Sequence, residues 1–189
     1  RSMRYHDAGT RPPAESLLVW LYASLKGATY FGCQVAYFTE GGLYQIEKEL
    51  QTLLAAGGEA HFVVGANDGA PEQADLEAVL DLIDPYGSRA TLSVVVARPM
   101  LAHFKTYYVS GPTSRRALVG SGNFTPNGLA GNIEAAISLD SGVDPGVVLD
   151  QIQGAIDRWR APGTPNAIRV DRSNLGSLVK SQIVGLPRP

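Results

Sequence analysis

The sequence predicts an α/β domain in which helices cover both faces of a mixed β-sheet. In the first half, segments with helical spacing alternate with compact apolar segments, and in the second half three strand-like segments follow one another. A length of 189 residues with 44% hydrophobic content is enough for one sizeable core. We therefore expect one domain over residues 1–163. Residues 164–189 are polar and weakly periodic, which predicts a tail, a truncated linker or an arm packed on a partner.

The first half alternates helices and strands. Residues 14–28 carry apolar side chains at helical spacing and end near Gly27, so they predict a helix. Residues 29–39 supply the aromatic and β-branched side chains of a buried strand. The same alternation continues with a helix over 41–58, a strand over 60–67, a helix over 70–87 and a strand over 91–99.

In the second half, strands no longer alternate with helices. Strand-like segments at 103–110, 115–121 and 132–140 are joined by loops too short for helices, and residues 144–163 predict a closing helix. Strands that follow each other in this way pair most simply in antiparallel fashion, which makes the predicted sheet a mixed one.

Charge and composition narrow the possible partners. The formal net charge of −2 argues against a whole-surface electrostatic grip on nucleic acid and leaves room for a local positive site. The single cysteine, Cys33, lies in an apolar stretch and predicts a buried, inert thiol in a reducing compartment. No apolar run approaches the roughly 18 residues that span a bilayer, so we expect a cytoplasmic protein without a membrane partner.

Two short polar motifs in the second half carry the candidate chemistry. His103 and Lys105 are two residues apart on a predicted strand and should project to the same side. The next strand ends in Gly-Ser-Gly-Asn, where Ser121 and Asn123 offer neutral hydrogen bonds and the glycines would let the backbone approach a ligand closely. If the two strands pair as a hairpin, the four polar side chains converge.

This combination suits a phosphoryl group, whose transition state spreads negative charge over its oxygens. From Pro85 to Ile133 the sequence has no Asp or Glu, although it has several cations. Arg98, Arg115 and Arg116 are therefore candidate substrate contacts. A solvated charge pair is an equal alternative for the last two, and a structural role is an alternative for the first.

The pattern His-x-Lys, followed after a spacer by Gly-Ser-x-Asn, resembles the signature of the phospholipase D superfamily. The continuation Gly-Ser-Gly-Asn-Phe-Thr, then Asn-Gly-Leu and Asn-Ile-Glu, is most similar to its nuclease branch, which includes single-motif bacterial endonucleases and restriction enzymes. The order of helices and strands over residues 29–160 is also similar to that fold.

The resemblance implies a role for each residue. His103 would attack phosphorus and form a phosphohistidine, Lys105 and Asn123 would hold nonbridging oxygens, and Ser121 would orient the nucleophile or the phosphate. Glu134 matches an acidic position that orients a catalytic imidazole. The family mechanism needs no metal or other cofactor. One departure is Ser110, which stands where the fuller family pattern has Asp.

That mechanism uses two imidazoles, and this chain has one motif. His61 has no Lys two residues on, and His6 lies in an irregular lead-in. A homodimer with a two-fold axis at the active site would supply the second His103. The expected function is a DNA endonuclease. A phospholipid-cleaving enzyme, and an inactive dimer that binds nucleic acid because Ser110 replaces the Asp, remain alternatives.

Overall fold

The structure, a computed structural model, describes residues 3–9 and 14–185. The predicted domain and tail also include residues 1–2, 10–13 and 186–189, which lie outside the described residues. The strands are β1 (Arg4–Asp7), β2 (Tyr30–Val35), β3 (Glu59–Gly65), β4 (Ala90–Val95), β5 (Lys105–Ser110), β6 (Arg115–Gly120), β7 (Ala135–Asp140) and β8 (Ala167–Val170).

These strands form one mixed sheet with the order β1-β7-β6-β5-β2-β3-β4-β8. The β2–β3 and β3–β4 pairs are parallel, and the other neighbouring pairs are antiparallel. Strands β2, β3 and β4 therefore end at one edge, where β5 begins because Val35 is paired with Lys105. We call this edge the carboxyl edge.

Helices cover both faces of the sheet, which confirms the predicted fold class. The helices are α1 (Leu17–Leu25), α2 (Glu40–Tyr44), α3 (Glu47–Ala55), α4 (Gln73–Ile83), α5 (Gly146–Arg160) and α6 (Leu175–Lys180). Helices α1 to α4 and α6 pack on one face and contribute to the larger core, whereas Leu149 and Ile156 of α5 belong to the smaller core on the other face. The larger core includes the tilted ring pair Phe38 and Phe124, with centroids 4.9 Å apart.

The expected helix over 41–58 is two helices in the structure. Ile46, with φ −127° and ψ 11°, separates α2 from α3. The first of the two packs against the chain at Phe124, since a Cβ on Gly42 would lie 2.5 Å from the Phe124 carbonyl oxygen. The spacing of apolar residues favours one continuous helix, because it contains no information about this contact with a segment 82 positions later in the chain.

Three elements have no counterpart in the sequence prediction: β1, β8 and α6. The two strands have four residues each, which is too short to show a period of two. Strand β8 pairs with β4, and Leu175 and Leu178 of α6 are buried in the larger core. Residues 164–185 are therefore part of the same sheet and core, and the expected tail or arm is wrong for this described segment.

Cys33 is free and buried in β2, as expected, and burial raises the pKa of its thiol. Over residues 3–9 and 14–185, no helix combines the length and apolar character that crossing a membrane requires.

Candidate active site

His103 and Lys105 meet at the carboxyl edge. Lys105 is the first residue of β5 and is 8% exposed, while His103 is exposed in the loop just before it. The Lys105 Nζ atom lies 3.0 Å from His103 Nδ1 and 2.9 Å from Nε2. The two side chains meet as predicted, although His103 lies in a loop and not on the strand predicted over 103–110. At most one nitrogen of a neutral imidazole can accept a hydrogen bond from the ammonium, and the tautomer decides which one it is.

The Lys105 ammonium is only partly solvated. Burial lowers its pKa, and the negative charge of Glu134 opposes that shift. A cation withdrawn from water interacts more strongly with an anion than a surface lysine does, because the effective dielectric constant is lower. The arrangement favours binding of a negatively charged group beside His103.

The Gly-Ser-Gly-Asn segment lies next to this pair. Strands β5 and β6 form the predicted hairpin, with Thr106 opposite Val119, so the chain leaves β6 at the same edge. Asn123 Oδ1 accepts a hydrogen bond from the backbone N–H of Tyr37 at 3.2 Å. Its Nδ2 has no partner within residues 3–9 and 14–185, and is therefore available to donate to a ligand.

Ser121 is held by the start of β7. Its Oγ donates to Glu134 Oε2 and accepts from the backbone N–H of Ala135 at 3.1 Å. The second oxygen of that carboxylate, Oε1, accepts from Asn132 Nδ2 at 3.2 Å. Glu134 thus fixes the Ser121 hydroxyl and also acts electrostatically on Lys105.

The expected contact between Glu134 and a catalytic imidazole does not occur within the described part of this chain. Glu134 lies in the loop just before β7 rather than on the strand. Its side-chain hydrogen bonds go to Ser121 and Asn132, and the His103 ring contacts Lys105 instead. Any imidazole that Glu134 orients must come from elsewhere.

The glycines of the motif let other parts of the protein pack closely against them. From the sequence alone, these glycines predict the close approach of a ligand instead. A Cβ on Gly120 would lie 2.5 Å from the Ala135 carbonyl oxygen, and one on Gly122 would lie 2.7 Å from the Gly128 carbonyl oxygen. The missing side chains therefore admit β7 and the π-helical turn Asn127–Gly131. The buried Tyr107 hydroxyl, which donates to the Gly122 carbonyl at 3.1 Å, fixes the loop further.

Ser110 lies far from the motif. It ends β5, five residues beyond Lys105, which corresponds to about 16 Å along a strand. A carboxylate at that position could not reach His103 in the same chain. Within one chain, the position of Ser110 is therefore too far from His103 for a carboxylate there to orient that ring.

Arg115 and Arg116 are also remote, because they pair with Ser110 and Val109 at the far end of the β5–β6 hairpin. They are the first two residues of β6. Arg115 forms an ion pair with Asp150, and Arg116 Nε lies 3.0 Å from Asp140 Oδ2. Their expected contact with substrate at His103 is wrong for a single chain, and the alternative of a surface charge pair describes them.

Arg98 lies in the loop between β4 and His103, which begins at the carboxyl edge. Its Nη2 donates to the Gln182 carbonyl oxygen at 2.8 Å. Together with Lys180 it lines an open cavity of about 680 Å³. This position keeps Arg98 as a candidate for contact with a substrate that extends beyond the reacting group.

Asn67 supports the site and was missed by sequence reasoning. Its side chain is buried at the end of β3, where Nδ2 donates to the carbonyl oxygens of Ala36 and Ala102 at 3.0 and 3.1 Å. Its Oδ1 accepts from the Ala102 N–H at 3.1 Å. One amide therefore fixes the backbone beside His103. The only signal in the sequence was a polar residue at the end of the apolar segment 60–67.

The other two histidines have partners of their own. His6 Nδ1 lies 2.9 Å from Glu15 Oε2, and its Nε2 lies 2.7 Å from Ser138 Oγ. His61 is fully buried, with Nδ1 2.8 Å from Thr91 Oγ1. Within residues 3–9 and 14–185, no group of three or more His, Cys, Asp or Glu side chains is arranged to hold a metal ion.

This sheet, with His103, Lys105, Ser121 and Asn123 gathered at one edge, is the fold of the phospholipase D superfamily. The chain is similar to Nuc, a phospholipase D family member from Salmonella typhimurium, with 19% identity, a TM-score of 0.62, and coverage of 89% of this chain and 97% of that one.

Two further solved structures share the fold with lower coverage of their own chains. Phosphatidylserine synthase from Haemophilus influenzae is 14% identical with a TM-score of 0.64, over 95% of this chain and 44% of that one. A mutant of the yeast tyrosyl-DNA phosphodiesterase is 11% identical with a TM-score of 0.50, over 72% of this chain and 31% of that one. No protein-family model and no curated protein sequence matches the chain.

Proposed function

We propose that this protein is a phosphodiesterase that acts without a metal ion and cleaves DNA through a phosphohistidine intermediate on His103. The observation that carries the proposal is the contact of the exposed His103 ring with the buried Lys105 ammonium at the carboxyl edge. A nucleophile beside a fixed cation can attack a phosphodiester while the cation stabilises the charge that develops on the phosphoryl oxygens.

The chemical steps follow from these positions. A His103 ring nitrogen forms a bond to phosphorus, and the bond from phosphorus to the leaving oxygen breaks. Lys105 Nζ and Asn123 Nδ2 donate to the nonbridging oxygens. A second imidazole protonates the leaving oxygen, then takes a proton from the water that attacks phosphorus and releases His103.

We assign that second imidazole to the partner's His103 in a homodimer. His6 and His61 are engaged elsewhere, and Glu134 contacts no imidazole of its own chain, which leaves its carboxylate available to orient the partner's ring. Tyr5, Ile137 and Val119, which are directly opposite one another on β1, β7 and β6, form an exposed apolar row. Ile133, 79% exposed, lies next to Glu134. Such a surface beside the site favours burial against a second copy.

DNA is the substrate that the charges favour. The chain from Pro85 to Ile133 has no acidic residue. Arg98, in the loop that follows β4, lines a cavity together with Lys180, where flanking phosphates could be held. Among proteins with the same fold, tyrosyl-DNA phosphodiesterase carries a DNA phosphodiester in its name. The likeness to phosphatidylserine synthase keeps a phospholipid head group as the second candidate.

The proposal is tested by cleavage of plasmid and single-stranded DNA in excess EDTA. Wild-type protein is expected to cut, and His103→Ala to lose at least about 1,000-fold in rate, the scale for removal of a reacting side chain. Met100→Ala, an exposed change in the same loop, should retain activity.

Binding of DNA without cleavage by the wild-type protein would contradict the enzyme and support the inactive binding module. Release of the head group from phosphatidylcholine vesicles, without any DNA cleavage, would move the substrate to phospholipid.

A further inference from the structure

We propose a second phosphate-binding site in the cavity between the end of α5 and strand β8, separate from His103. The cavity measures about 330 Å³ and is lined by Ser93, Trp159, Arg160 and Arg169 together with the chain at 161–163 and Ala167. It lies on the α5 face of the sheet. The reaction at His103 makes no use of these residues.

Ser93 is the first reason for the assignment. It lies in the middle of β4 and is 1% exposed, and it lines the cavity. Its hydroxyl forms no hydrogen bond with residues 3–9 and 14–185 and is open to the cavity rather than enclosed by protein. A hydroxyl that opens into a cavity without a protein partner can form hydrogen bonds with water or with a ligand there. The hydroxyl borders the cavity, where a bound oxyanion would satisfy it.

Arg169 is the second reason. It is directly opposite Ser93 in the β4–β8 pair, so both side chains leave the sheet on the same side. No carboxylate pairs with Arg169 in the described part of the chain; its Nη2 donates to the Arg160 carbonyl oxygen at 2.6 Å. Burial and the charge of Arg160 both lower the pKa of Arg169, as expected for guanidinium groups that lie close together without an anion between them.

Arg160 completes the cluster. Its Nε donates to Asp157 Oδ1 at 2.8 Å, and its Nη1 lies 2.7 Å from His61 Nε2, which also lies 3.0 Å from Glu59 Oε2. The Asp157 carboxylate is therefore paired with Arg160, and the Glu59 carboxylate contacts His61. Neither carboxylate neutralises the charge of Arg169. A guanidinium without an anion, next to a free hydroxyl, matches the donor geometry that phosphate oxygens require.

Trp159 forms an aromatic wall of the cavity and also contacts the segment that carries His103. The Arg158 guanidinium lies 5.3 Å from the centre of its ring. The same indole packs on Phe104, the residue between His103 and Lys105, with ring centroids 6.2 Å apart. The cavity is large enough for a phosphate group attached to a small organic part, so free phosphate and a phosphomonoester are both possible sources.

Isothermal titration calorimetry of the full chain with inorganic phosphate at constant ionic strength tests the site. Because the His103 site also binds phosphate under the proposed function, Lys105→Gln is used as the background in which that site is weakened. Phosphate should still bind this variant. Adding Arg169→Gln or Ser93→Ala should weaken the remaining binding by about tenfold or more, the scale for losing a hydrogen bond to a charged group.

Arg172→Gln is the matched control, since Arg172 is exposed on the same segment and is paired with Asp81 and Asp84. It should bind phosphate like its parent. Thermal unfolding without phosphate checks that Ser93→Ala, which removes one oxygen atom, stays folded. Unchanged affinity in both Arg169→Gln and Ser93→Ala, or no binding once Lys105 is replaced, would overturn the second site.

A parallel titration with a nucleoside monophosphate identifies the source of the phosphate group. Tighter binding than inorganic phosphate, with a change in Trp159 fluorescence in a Trp20→Phe variant, would support a phosphomonoester, since Trp20 is the only other tryptophan. Equal affinities would support free phosphate. DNA cleavage by Arg169→Gln at the wild-type rate is expected, and it separates this inference from the proposed function.

Discussion

At the scale of residues, the site depends on one buried side chain and one exposed side chain. Lys105 is withdrawn from solvent and held at the start of a strand, while His103 projects into solvent within 3.0 Å of the Lys105 ammonium. The buried cation does not need to be ordered when substrate arrives, because β5 already fixes it. This preorganisation is the main physical argument for chemistry at His103.

The alkaline limb of the pH dependence should report the loss of a proton from the Lys105 ammonium. Burial lowers the pKa of Lys105, and the charge of Glu134 raises it. Glu134→Gln removes the raising effect, so Lys105 should lose its proton at lower pH, and the alkaline limb of log kcat/KM should move to lower pH. Asp150→Asn, on α5 where Asp150 pairs with Arg115 at the far end of β6, should leave the limb in place. A limb that stays or moves upward in Glu134→Gln would contradict this assignment.

Asn67 should act as a positioning residue. Asn67→Asp keeps an acceptor for the Ala102 N–H but sets a carboxylate against the carbonyl oxygens of Ala36 and Ala102. We expect kcat to fall by about 10- to 100-fold with little change in KM, as a misplaced reacting group does. Asn174→Asp is the control, because Asn174 also bonds backbone, at Arg169 and Asp171. Equal losses of kcat in both variants would reduce Asn67 to a structural residue.

The sequence revealed the site residues whose spacing reflects local geometry. His103 and Lys105 are two apart beside a strand, and Ser121 and Asn123 follow the partner strand of the hairpin. Arg115 and Arg116 were assigned to the site by their charge alone, although they begin the strand whose other end leads to Ser121. Asn67 was missed because its contacts with Ala36 and Ala102 bridge loops distant in the sequence.

At the scale of elements, the long apolar segments were predictable and the short ones were not. Strands β2, β3 and β4 contribute apolar residues to the cores on both faces, because helices cover both sides of the sheet. Strand β8 is stabilised by its pairing with β4, and α6 by the burial of Leu175 and Leu178. Six residues of helix carry too little periodicity to predict such burial from sequence.

The C-terminal segment should therefore contribute to stability. Leu178 is buried in the larger core, so Leu178→Ala should lower the free energy of unfolding by about 2–5 kcal/mol, the range for buried leucine. Ser177→Ala, exposed on the same helix, should change it by less than about 0.5 kcal/mol. Urea denaturation followed by circular dichroism measures both. A change as small in Leu178→Ala as in Ser177→Ala would restore the view of this segment as a tail.

At the scale of the whole molecule, the proposed homodimer would bury an exposed apolar surface and supply the second imidazole that the mechanism needs. The apolar row of Tyr5, Ile137 and Val119 lies on the strands that lead to Ser121 and Glu134. A second copy covering this row would bring a second imidazole to the carboxyl edge. Assembly and activity should therefore be lost together.

Ile137→Asp tests that link by setting a charge in the middle of the row. Light scattering should show a shift from dimer to monomer, with loss of DNA cleavage, because burying an unpaired carboxylate opposes association. Val147→Asp, an exposed apolar position on α5, should leave both properties unchanged. A fully active monomer of Ile137→Asp would exclude a site shared between two copies through this surface.

The phosphohistidine on His103 is tested most directly by trapping it. Wild-type protein is mixed with a short DNA duplex in EDTA, quenched within the first turnovers in denaturing alkali, where phosphohistidine survives, and digested for peptide mass spectrometry. We predict a nucleotide or phosphate adduct on His103 that is lost on mild acid treatment. An acid-stable adduct, or an adduct on any other residue while DNA is cleaved, would contradict the proposed mechanism.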